Sequence, residues 1–194
     1  HQVHATEPAV IRWKRNAAGA HDSANDHAQF RVYAVSDEEN KEDAYFAVKL
    51  SSSIVLTSSV YTDVYDNSKW NLSVAVHPEK SYTDFVSGSS GSAPGEGYKL
   101  QFYGVNRELG TVVNEFLLTK SLSYDAGLKF VSAPKRMFAG SYRTDFTGSL
   151  LMGSDVKVGH CRAWLDHLST ASVKAHALDP RNFGRSFEYG NSFF

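Results

Sequence analysis

A chain of 194 residues with 42% hydrophobic content is the size of one β-sandwich or barrel-like domain and can fill its core. Twenty basic against twenty-one acidic residues argue against a partner held by phosphate neutralisation, so no nucleic acid is expected. The longest apolar runs are too short to cross a bilayer and no charged-then-apolar leader opens the chain, so no membrane insertion is expected either.

The first 28 residues are polar, carry His1, His4, His21 and His27, and show little periodicity beyond Val10 to Trp13. They read as an arm or leading strand that leans on another body, with solvated histidines rather than a built metal site. Alternation predicts strands over 30–35, 45–50 and 53–61, with Asp37, Glu38, Glu39, Glu42 and Asp43 forming a solvated acidic turn between the first two. In the strand predicted over 71–76, Leu72, Val74 and Val76 share one face. The Gly/Ser run 87–97 reads as a long loop inside the domain.

Further strands are predicted over 98–105, 112–118, 128–132, 136–140, 148–152 and 156–165. The lone Cys161 rules out an internal disulfide and, inside the last of these runs, reads as a small buried hydrophobe. Trp70 and Trp164 head and close alternating segments and are expected to fill the space between two sheets. Gly140 and Gly148 are expected to permit a bend or a close strand approach. Ser169 can cap one short helix over 170–177, which Asp179-Pro180 stops. The resulting plan is all-β, an antiparallel jelly-roll β-sandwich with one short C-terminal helix: an arm over 1–28, a body over 29–180 and an aromatic tail over 181–194. A start at His1 reads as a piece of a longer protein.

Catalytic patterns are not found: the Gly88-to-Ser92 run misses the nucleophile-elbow spacing, and His-Glu-x-x-His, Walker and Rossmann glycine patterns do not occur. Asp63, Asp66 and Asn67 share the loop before Trp70 and could offer a calcium ion the oxygens it needs, although loop Asp and Asn also simply make turns. For ligand binding, Tyr142, Arg143 and Asp145 combine an aromatic face, a bidentate donor and a carboxylate, with Tyr65 adding stacking surface beside Tyr61 and Tyr82. The competing reading pairs Arg143 with Asp145. Asn71-Leu72-Ser73 is formally a glycosylation sequon, but it opens a core strand.

Three pieces in order carry a family resemblance over roughly residues 45–178. Trp70 to Val76 looks like a tryptophan-led central strand, and Tyr98 to Asn106 like a strand and turn in which Tyr103-Gly104 replaces an Asp-Gly hairpin. Lys135 to Gly140, Phe146 to Leu150, and Val158 to Leu165 with Leu168-Ser169 look like a closing set of strands and turn. Together they resemble the laminin-G-like, concanavalin-A-like jelly-roll superfamily, which implies a recognition domain. Glycosidases of that broad fold carry a Glu-x-Asp-x-Glu strand, and this chain has none.

Residues 141–148, Ser154 to Lys157 and His176 to Asp179 further resemble a variant met in large structural proteins of tailed phages. That likeness implies a virion or extracellular location, a larger oligomeric assembly, and glycan or neighbouring virion proteins as partners. The expectation is a non-catalytic surface module needing no cofactor beyond possible calcium. The alternatives are a purely structural assembly module and, less favoured, a glycoside hydrolase.

Overall fold

A computed structural model describes residues 11–15, 28–37, 39–50, 53–65, 68–79, 97–132, 135–140, 142–143, 150–151, 157–165 and 167–179. The elements are β1 (Ile11–Arg15), β2 (Ala28–Ser36), β3 (Ala44–Leu50), β4 (Ser53–Tyr61), β5 (Trp70–Pro78), β6 (Tyr98–Glu108) and β7 (Thr111–Leu122), followed by α1 (Tyr124–Ser132), β8 (Lys135–Ala139), β9 (Tyr142–Arg143), β10 (Leu150–Leu151) and α2 (Thr170–Leu178). The protein is mostly β. Five strands pair antiparallel in the order β4-β3-β2-β1-β8, three in the order β5-β6-β7, and β9 pairs β10. The described part of the expected arm, β1 and Ala28 of β2, belongs to the larger sheet, with β1 between β2 and β8.

The two sheets close on one core because their inward positions are apolar. Phe30 and Val32 of β2, Phe46 and Val48 of β3 and Leu56 of β4 meet Leu100 and Phe102 of β6 and Phe116 of β7. Across the smaller sheet the inward residues form rungs: Val74, Phe102 and Leu118; then Leu72, Gly104 and Phe116; then Trp70, Asn106 and Asn114. The Phe46 ring lies 4.7 Å from Trp70 and 5.7 Å from Phe116, which ties the sheets together at one end. Trp70 thus takes its expected place between the sheets. Tyr61, expected to lend loop stacking surface, instead packs into this cluster 4.9 Å from Trp70, and burial raises its phenol pKa.

β6 is covered on both faces. Its outward residues Tyr103 and Val105 pack beneath Val173 of α2, with Val112, Leu168 and Ala177 around them. Ser169 caps this helix as expected, its side chain accepting the Ser172 N–H.

Four sequence expectations are corrected. Residues 128–132 are not a strand but the second half of α1. Ser123 Oγ accepts the Ala126 N–H at 3.3 Å and Asp125 sits in the first turn, so the start carries helix chemistry. Gly127 and Phe130, three apart, face inward: Gly127 lies against Tyr98, and Phe130 stacks on Phe30 at 5.5 Å.

Of the closing strand expected over 156–165, residues 157–165 run as an irregular strap before α2, with Val158 and Leu165 exposed. Every residue of the strap but Trp164 is exposed, and α2 occupies the outer face of the smaller sheet. Trp164 consequently lies outside the intersheet core, stacked on His176 with ring centroids 5.5 Å apart, and Cys161 is exposed rather than buried. The strand expected over 148–152 is described only at Leu150–Leu151. Gly140, at φ +74, makes the anticipated bend after β8; Gly148 lies outside the described residues.

Candidate functional site

β2 and β4 run the same way, each antiparallel to β3, so the loops that follow them, 37–43 and 62–69, share one end of the sandwich. β5 starts and β6 finishes at this same end, where Trp70 pairs Asn106. β8 also runs the same way as β2, being antiparallel to β1, and hands the chain to β9. The topology therefore gathers the loop after β2, the loop after β4, the β6–β7 hairpin and the end of β8.

The first two loops are knitted together. Asp63 N–H donates to Asp43 Oδ1 at 3.0 Å, Tyr65 N–H to the Glu42 carbonyl at 3.0 Å, and Tyr65 Oη–H to the Ala34 carbonyl at 3.0 Å. The acidic turn is also closed on itself: Glu39 N–H donates to Asp37 Oδ1, Glu42 N–H to Asn40 Oδ1, and Asp37 N–H to the Asp43 carbonyl. Asp63 holds φ +55, a left-handed conformation that Asp adopts more readily than most residues. These bonds order the loops before any ligand arrives and leave Glu39, Glu42, Asp63 and Tyr65 exposed to solvent.

Of the residues the sequence singled out, the structure brings Asp63 and Tyr65 into this loop pair. Tyr142 and Arg143 are placed by backbone alone, pairing Leu151 and Leu150 across β9 and β10. Asp66, Asn67, Asp145 and Tyr82 lie outside the described residues. Among the described residues no three His, Cys, Asp or Glu side chains are grouped so as to hold a metal ion. Sequence reasoning missed the role of Asp43, which it treated as part of a solvated turn. The contact joins residues twenty apart in the chain, and no local pattern signals it.

A second polar cluster lies on the outer face of the smaller sheet. Glu115 Oε2 accepts from Tyr103 Oη–H at 2.9 Å and pairs with Lys174 Nζ of α2 at 2.6 Å. The Lys174 contact first, then Tyr103, holds the Glu115 carboxyl below its ordinary value, while burial, followed by the carboxylate, pushes the Tyr103 phenol up. Both Glu115 oxygen contacts go to structural partners, so the arrangement clamps α2 onto the sheet. Toward the other end of β5 the His77 and His167 rings meet at 4.2 Å.

The sign of the Glu115 shift sets a pH dependence. A carboxyl whose folded pKa is depressed contributes stability above its unfolded value, about 4.3, and loses it as pH falls through the folded value. Unfolding titrations of Glu115→Gln should therefore match those of the wild type at low pH and fall short above about pH 4.3, by no more than about 1 kcal/mol for so exposed a pair. A variant with the wild-type stability profile from pH 2 to 7 would show that the clamp contributes nothing.

No family model, curated protein or solved structure matches this chain.

Proposed function

We propose that this protein is a non-catalytic recognition module, a concanavalin-A-like jelly-roll sandwich whose loop end binds a glycan or another protein. The observation carrying the reading is the hydrogen-bonded union of loops 37–43 and 62–69, which presents an ordered acidic rim with the Tyr65 ring beside it. Pre-ordered loops lower the entropic cost of binding. Exposed carboxylates suit a cationic partner group, or a calcium ion shared with sugar hydroxyls and completed by Asp63, Asp66 and Asn67. Tyr142, Arg143 and Asp145 would extend the same end. The phage-like segments of the sequence support a virion or extracellular setting.

A glycan array probed with the whole chain, with calcium and with chelator, tests this. A sugar signal should fall at least about tenfold in Asp63→Asn, a change that tolerates the left-handed backbone and removes one charge. If Asp63→Asn binds as wild type does, with and without calcium, the loop end is not the site.

A second reading, a structural assembly module, is favoured by Val113 and Leu117. They sit half-exposed on β7, an edge strand of the smaller sheet. Light scattering separates the two: a defined oligomer dissolved by Leu117→Lys, with no glycan signal, favours assembly.

A further inference from the structure

The last rung of the smaller sheet, Trp70, Asn106 and Asn114, places polar atoms at the end of an otherwise apolar core. Asn106 is 1% exposed, yet its Oδ1 meets no hydrogen-bond partner among the described residues. The Nε1–H of Trp70, its direct partner across the ladder, is likewise buried and unmatched. An indole N–H can only donate and an amide oxygen only accepts, so the two atoms are complementary but not bonded to each other. Leaving both dry would incur the desolvation penalty of each.

We propose that Trp70 and Asn106, with Asn114 as the neighbouring amide, hold one internal water molecule. Water is the smallest guest that accepts from Nε1–H and donates to Oδ1 at once, and a polar site offering two to four partners retains it. A cation would face the indole N–H, and an anion would face the amide oxygen, so neither fits both. The near-complete burial of Asn106 shuts out a ligand from solution. The water would join β5 to β6 directly beneath the loop end, and it stands independently of what those loops bind.

The test uses the whole chain labelled with nitrogen-15 at its tryptophans, the Trp70 indole signal being assigned by its loss in Trp70→Phe. That proton should show a cross peak to a long-lived water and exchange at least about 100-fold more slowly than free indole. In Asn106→Leu the water peak should vanish while the indole signal remains. A high-resolution crystal structure of the wild type gives the same answer without any variant, so a destabilised Asn106→Leu does not block the test. A direct Trp70 Nε1 to Asn106 Oδ1 bond, or a dry gap between them, overturns the proposal.

Discussion

Trp70→Ala lowers the free energy of unfolding by about 3–5 kcal/mol, the cost of emptying a large aromatic site in a core. Its ring contacts Phe46 at 4.7 Å, Tyr61 at 4.9 Å and Phe116 at 6.1 Å, so the truncation opens a void shared by both sheets. Trp164→Ala costs less, about 1–2.5 kcal/mol, one aromatic pair plus the partial burial of the ring, because its stack on His176 lies outside that core. Read from sequence alone the two tryptophans were equivalent. Urea unfolding of both variants distinguishes them, and equal losses would contradict the placement of the strap 157–165.

Gly104→Ala lowers stability by about 1–3 kcal/mol through overpacking. Gly104 sits on the middle rung of the smaller sheet, and a Cβ there would enter the space of the Phe116 ring with Leu72 Cδ2 only 3.1 Å away. β6 is fixed between β5 and β7, so its backbone has little room to retreat. Gly127→Ala offers the control. In an exposed helix the change gains about 1 kcal/mol, whereas here the new methyl would collide with Tyr98 and the gain is reversed. A rise in melting temperature for either variant would show that the rings move aside.

Much of the β architecture was legible. β3, β4, β5, β6 and β7 cover the runs whose apolar residues alternate, since alternation is what a strand with one buried face requires. The C-terminal helix was legible too, because Ser169 and Asp179-Pro180 mark its ends with local chemistry. The segment 128–132 misled because Leu128, Phe130 and Val131 fit a strand as readily as a helix. The deciding contacts, Gly127 on Tyr98 and Phe130 on Phe30, come from distant parts of the chain.

The site divides the same way. Asp63 and Tyr65 could be named as loop residues from their neighbours in sequence, but the partnership of Asp63 with Asp43 could not. Nor could the pairing of Trp70 with Asn106, which only the strand register sets face to face.

By itself the sequence determined β2 to β7 as strands, the shared face of Leu72, Val74 and Val76, and where the last helix begins and stops, because alternation and capping act over a few neighbouring residues. Only the tertiary structure decided that α1 is a helix, that Trp164 and Cys161 stay outside the core, and that two loops lock into one rim. Those outcomes depend on which surfaces other segments have already covered, and that competition is settled between residues far apart in the chain.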